Sequence, residues 1–190
     1  MKQKFTLLTP EFFIRDTRLV ARELLGKVIY HRINKKVYKA IITETEAYHG
    51  ADDLACHCSK GKTKRTSVMF DHPGLIYIYL IYGMYYMLNI VTMPKNFPAA
   101  VLIRAVKNLQ VSFDMKKFEK INQPTDGPGK LTKQLQIDGR LNNKLLTPNK
   151  GLWVVDEGIE ISTDKIQTGK RIGIDYAGKW KDKPWRFYYK

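Results

Sequence analysis

The longest apolar stretch of the chain, Leu75 to Val91, constrains the fold more than any other segment, because its length admits a membrane-spanning helix as one reading. Its composition points elsewhere. It holds Gly83, Asn89 and five tyrosines, Tyr77, Tyr79, Tyr82, Tyr85 and Tyr86, and aromatic and β-branched residues favour extended backbone. Pro73-Gly74 opens it, so two strands are expected, Leu75 to Tyr82 and Met84 to Thr92, folded around Gly83 as a hairpin. A lone hairpin is marginal in water, so further strands must complete the sheet.

Val28 to Ile33 and Val37 to Tyr48, separated by Asn34-Lys35-Lys36, read as a second hairpin, and Ala99 to Val106 as another apolar strand. Upstream, Thr9-Pro10-Glu11 reads as a cap, a proline at the first helical position and an acid in the first turn. Gly26 stops that helical region, with Asp16 as the cap of a second helix inside it. A basic stretch through Met115 and Phe118 reads as helical, as does Leu131 to Leu135 behind Gly127-Pro128-Gly129-Lys130. Leu152 to Val155, Ile159 to Ile161, Arg171 to Ile174 and Trp185 to Tyr189 read as short strands. His49 to Thr66 is rich in glycine and polar residues and reads as a long loop, where functional residues concentrate. No internal repeat or linker interrupts the chain, so the expectation is one α+β domain over residues 1–190.

Charge narrows the partner. Lys+Arg number 33 and Asp+Glu 18, a net +15, on a chain whose 44% hydrophobic residues suffice for a packed core. Such an excess on a folded domain opposes compactness and points to a polyanion, and the hydrogen-bonding aromatics favour nucleic acid over a membrane. The apolar piece behind basic Met1-Lys2-Gln3-Lys4, Phe5 to Leu8, is too short for an export signal. Cys56 and Cys58 are one residue apart, poorly placed for a mutual disulfide and too few for structural zinc. A reducing cytoplasm is expected, with no membrane and no metal.

Three features could carry chemistry. Glu44, Glu46 and Tyr48 share one face of their strand. They form either a solvated edge or a general base beside an aromatic platform. Arg104 interrupts an otherwise apolar strand and needs an acid, with Glu46 or Glu44 as mate, either in a structural ion pair or across a cleft that holds a water. The tyrosines around Gly83 either pack in a core with their hydroxyls in water or stack on and wedge between bases. His57, between the acidic strand and the basic run Lys60, Lys62, Lys64 and Arg65, is a pocket wall or an ordinary loop histidine.

The ordered motifs Val20-Ala21-Arg22-Glu23-Leu24-Leu25-Gly26-Lys27, Glu44-Thr45-Glu46-Ala47-Tyr48, Gly61-Lys62-Thr63-Lys64-Arg65-Thr66, Tyr77-Ile78-Tyr79-Leu80-Ile81-Tyr82-Gly83-Met84, Val101-Leu102-Ile103-Arg104-Ala105, Gly127-Pro128-Gly129-Lys130-Leu131 and Arg171-Ile172-Gly173-Ile174 resemble those of the alkyladenine (3-methyladenine) DNA glycosylases. The resemblance spans nearly the whole chain. It implies a curved antiparallel sheet core with flanking helices and a protruding DNA-inserting hairpin, similar to the C-terminal domain of formyltransferases. It further implies a monomer that removes alkylated purines from double-stranded DNA by simple hydrolysis, with no cofactor and no metal. Glu46 matches the general base, and Arg104 with the backbone carbonyl of Ile172 matches the groups that hold its water. Tyr48 matches one wall of the base pocket, and His57 with Tyr79 the opposite wall. Asn89 matches the residue that disfavours normal guanine, and Tyr82 the residue that enters the minor groove. Lys62, Lys64, Arg65 and Lys130 are expected on phosphates. The chain departs from the family pattern at Cys56, where serine is usual, and at Met87, where a small cysteine is common; both flank the pocket and bear on substrate range. A non-catalytic nucleic-acid binder is the alternative, but it would need no acid facing an arginine beside its polyanion.

Overall fold

The computed structural model describes residues 5–189; Met1 to Lys4, at the front of the segment judged too short for export, lie outside the described residues. In chain order the elements are β1 (Thr6–Leu7), α1 (Pro10–Phe13), α2 (Thr17–Glu23), β2 (Val28–Ile33), β3 (Lys36–His49), β4 (Ile76–Ile81), β5 (Tyr85–Val91), β6 (Ala99–Ser112), β7 (Glu119–Lys120), α3 (Pro128–Gln134), β8 (Leu152–Asp156), β9 (Gln167–Gly169) and β10 (Arg186–Tyr188). Among the described residues these strands form one mixed-order sheet, β1-β8-β2-β3-β6-β5-β4, with β7 added to β6 and β10 bridging β3 and β9; every pairing is antiparallel. The result is a mixed α+β architecture with a large antiparallel sheet and few helices. No helix among the described residues is long and apolar enough to cross a membrane.

Local signals account for the helix ends. The Asp16 carboxylate accepts the Arg18 backbone N–H and caps α2, and Pro10 sits in the first turn of α1. Gly26, at φ +82, turns the chain from α2 into β2.

The pleat then sorts side chains to two faces. Ile76 and Ile78 of β4, Leu88 and Ile90 of β5, Val101 and Ile103 of β6 and Ile42 and Ala47 of β3 pack with Val20, Ala21 and Leu24 of α2 and Leu131 and Leu135 of α3 in the main core. Their alternates, Tyr77, Tyr79, Met87, Asn89, Leu102, Arg104 and Tyr48, point to the other face, where a cavity lies. The long β3–β6 ladder, from Val37↔Ser112 to His49↔Ala99, contains register shifts on either side of Glu44. Such bulges re-aim side chains next to functional sites.

Four expectations are corrected. The stretch leading to Met115 and Phe118 is not helical: β6 continues to Ser112 because it stays paired with β3, and the Asp114 carboxylate then accepts the N–H groups of Lys116 and Lys117 in a tight turn. Ile159 to Ile161 is not a strand; its alternation sends Ile159 to the cluster of Val28 and Trp153 and Ile161 to the main core. Arg171 to Ile174 is not a strand either, since Arg171 is buried on a carboxylate and Gly173 adopts φ +76. Cys56 and Cys58 form a disulfide, because the turn starting at His57 brings their Cα atoms to 5.2 Å, within the range a disulfide can span. With that pairing, the cysteines no longer argue for a reducing compartment.

Candidate active site

A cavity of about 460 Å³ opens on the sheet face away from the main core, a size typical of small-molecule sites. Tyr48 from β3, Tyr79 from β4, Asn89 from β5, Arg104 from β6, His57 from the long loop and Ile172 from the C-terminal loop line it, together with Tyr82 at the turn of the β4–β5 hairpin. Tyr77, Met69, Met87, Leu102 and Tyr176 complete much of the wall. Six separate segments therefore converge on one cavity.

Glu46 lies behind this lining. Its relative exposure is 0%, yet its carboxylate is fully engaged: Oε2 accepts the Tyr48 hydroxyl at 2.8 Å, Oε1 accepts the Ile172 backbone N–H at 2.8 Å, and Arg104 Nη1 stands 3.5 Å from Oε1. Burial drives its pKa above the ordinary carboxylate value, against the pull of Arg104, the Ile172 N–H and the Tyr48 hydroxyl. Arg104 also donates from Nε to Glu44 Oε1 at 3.0 Å, and Arg186 Nη1 donates to the same oxygen at 3.0 Å. The choice between Glu44 and Glu46 as mate of Arg104 is thus resolved as both. Two acids and two arginines alternate, and the solvated-edge reading of this strand face does not hold for Glu46.

The aromatic groups are locked together. The His57 ring lies 4.4 Å from that of Tyr79, edge to face, and its Nδ1 is 3.0 Å from the Tyr77 hydroxyl. Burial lowers its pKa to about 4, with Arg65 adding to the effect, so the ring is neutral near pH 7. Burial likewise raises the Tyr48 phenol well above its usual value, and Glu46 adds to the shift. Asn89 is buried and its side-chain nitrogen donates to the carbonyls of Tyr77 and Met87, which fixes the orientation of the amide.

Tyr82 is 82% exposed at the tip of the hairpin. The Met84 N–H donates to the Ile81 carbonyl, and Tyr82 and Gly83 both have positive φ, +52 and +68, as in a type I′ turn. Asparagine is the usual first residue of that turn; a bulky aromatic in the left-handed region is an outlier of the kind that marks functional positions.

The basic residues named from sequence are all exposed, but they are not equivalent. Arg65 stands 5.9 Å over the Tyr79 ring, Lys62 stands 5.9 Å over Phe70, and Lys130 is engaged with Asp126 at 3.0 Å. Ile172 meets Glu46 through its N–H, whereas the resemblance had pointed to its carbonyl. The sequence reading missed Asp53 and Tyr176 and assigned no role to Arg171. Arg171 carried little signal, since it follows Lys170 directly and is flanked by Gly169 and Gly173, whereas Arg104 interrupts a continuous apolar run.

The sequence pattern of the methylpurine-DNA glycosylase family matches residues 11–190. The chain is 45% identical over 190 aligned positions to a Desulfitobacterium hafniense protein named "Putative 3-methyladenine DNA glycosylase", covering 94% of this chain and 92% of the relative. Proteins of the same name from Rickettsia felis and Legionella pneumophila are 46% and 44% identical, over 97% and 94% of this chain and 93% and 92% of their own lengths.

Proposed function

The chain belongs to the methylpurine-DNA glycosylase family and is thus a hydrolase of N-glycosyl bonds in DNA, and from that premise we propose that it excises alkylated purines of the 3-methyladenine and 7-methylguanine type with a Glu46-activated water. The observation that carries this reading is the buried Glu46 carboxylate, held by Arg104, Tyr48 and the Ile172 N–H directly behind a cavity lined by aromatic rings.

The steps follow from chemistry. Lys62, Lys64, Arg65 and Lys130 bind phosphates of the duplex, and Tyr82 fills the space vacated when the nucleotide rotates out, offsetting part of the unstacking cost of a few kcal/mol. The base enters between Tyr48 and the His57–Tyr79 pair. Alkylation at N3 or N7 makes it cationic, which strengthens stacking on these rings. His57, neutral through burial, adds no repulsion. Asn89 is buried in the cavity lining, where an exocyclic amine would meet it. Water, positioned by Arg104, loses a proton to Glu46 as its oxygen bonds to C1′ of the deoxyribose. The C1′–N bond breaks, its electron pair neutralises the departing purinium, and an abasic site remains for base excision repair.

The test is release of the free base from duplex DNA containing 3-methyladenine or 7-methylguanine. Wild type should release it and Glu46→Gln should be slower by about 10²- to 10⁴-fold. No release by the wild-type protein would sink the assignment.

A further inference from the structure

Arg171 and Asp53 lie outside the steps above, yet they form the most deeply buried ion pair among the described residues. Both side chains are 0% exposed. Arg171 Nη1 donates to Asp53 Oδ2 at 2.6 Å and Nη2 to Oδ1 at 2.8 Å, the parallel fork of a bidentate pair. Nη1 also donates to the carbonyl of Ala47 at 2.8 Å, and Nη2 reaches the Trp180 carbonyl at 3.3 Å. The guanidinium carbon stands 4.8 Å over the Tyr48 ring and 5.1 Å over Trp185. Asp53 in turn accepts the backbone N–H groups of His49 and Ala55.

We propose that Arg171, clamped by Asp53, is the positioning residue of this site, with one guanidinium setting the Tyr48 wall, the Glu46–Tyr48 segment and the Ile172 amide in a single arrangement. Three connections support it. The Ala47 carbonyl lies between Glu46 and Tyr48 in the chain, so the Nη1 bond fixes the strand segment that carries both. The stack on Tyr48 fixes that ring, which lines the cavity. Arg171 immediately precedes Ile172, so anchoring its side chain anchors the N–H that Glu46 accepts.

Stability alone does not explain the pair. Buried ion pairs are often no more stabilising than apolar residues of similar volume. Arg171 Nε is moreover buried without a hydrogen-bond partner among the described residues, which adds a desolvation cost. What an apolar replacement could not supply is the fork geometry, which ties β3, the loop leading to His57 and the C-terminal loop to one planar group.

The inference rests on Glu46 being the base, and its test uses the pH dependence of single-turnover excision from duplex DNA containing 7-methylguanine, a base that is already cationic. The charged and titratable groups around Glu46 are Arg104 from β6, Tyr48 from β3, Tyr79 from β4 and Arg171 from the C-terminal loop, while the Arg186 of β10 is engaged with Glu44. In Asp53→Asn the Arg171 charge loses its compensation, so the Glu46 carboxylate is favoured and the acid limb should move to lower pH by roughly half a unit or more. Arg171→Lys keeps the charge and loses the fork. Its rate should fall about 10- to 100-fold, with the acid limb and the affinity for undamaged duplex unmoved.

A purely structural pair would instead lower the active fraction and leave the rate of the remaining molecules unchanged. An unmoved limb in Asp53→Asn, or a wild-type rate in Arg171→Lys, overturns the proposal. Should Asp53→Asn fail to fold, Arg171→Lys decides alone, by rate at unchanged DNA affinity. Absence of base release by wild type would count against the Glu46 assignment itself and is read separately.

Discussion

Glu46, proposed as the general base, is a fully buried carboxylate whose pKa is raised by that burial. Because its folded pKa lies above the unfolded value, the native state holds the proton more tightly. Stability from this group is therefore present at low pH and is lost as pH rises through the folded value. Two outcomes follow. Excision should fall on the acid side with an apparent pKa above that of an ordinary glutamate. In thermal unfolding at about pH 7.5, Glu46→Gln should melt higher than wild type, with the difference shrinking toward pH 4. His57 has the opposite sign: its folded pKa, about 4, lies below its unfolded 6.5, so it costs stability as pH falls between those values. A His57→Gln variant should lose less stability than wild type over that window, as read by chemical denaturation.

The β4–β5 hairpin is where an element matters more than any side chain in it. Its strands alternate between core and cavity, and its turn holds Tyr82 with positive φ. Tyr82→Asn suits a type I′ turn better and should stabilise the fold, by about 0.5 kcal/mol, while slowing excision from duplex DNA. Excision from single-stranded substrate, which needs no extrusion from a stack, should change much less. Equal loss on both substrates would argue against a wedge role for Tyr82. The hairpin was legible in sequence because Gly83 interrupts an aromatic and β-branched run. The helix expected through Met115 and Phe118 failed because that segment's local composition did not reveal that β6 remains paired with β3 as far as Ser112.

Across the whole molecule, the net charge is +15, and we propose that it drives encounter with DNA. Four exposed basic residues near or beyond the cavity, Lys62, Lys64, Arg65 and Lys130, are proposed on phosphates, and neutralising each should contribute about one unit to the slope of log affinity against log salt. Binding to undamaged duplex should therefore weaken by about 10²-fold or more between 50 and 200 mM salt if about four to six phosphates are engaged. Lys64→Ala should reduce that slope by about one without altering which base is removed. Lys130 should contribute less, because its ammonium already faces Asp126.

The sequence by itself determined the family, the sheet-rich α+β class and the basic composition, and through the resemblance it named Tyr48, His57, Tyr79, Tyr82, Asn89, Arg104 and Ile172 among the residues that line the cavity. Those properties reside in composition, in the period-two pattern and in motifs short enough to be read along the chain. The tertiary structure decided what each group touches. It placed Glu46 behind the lining rather than within it, gave Arg104 two carboxylates, joined Cys56 to Cys58 and buried Arg171 on Asp53. The physical reason is distance along the chain: Ile172 meets Glu46 across 126 positions and Arg171 meets Asp53 across 118. Hydrogen bonds, burial and the pKa shifts that burial causes exist only once those segments are packed together.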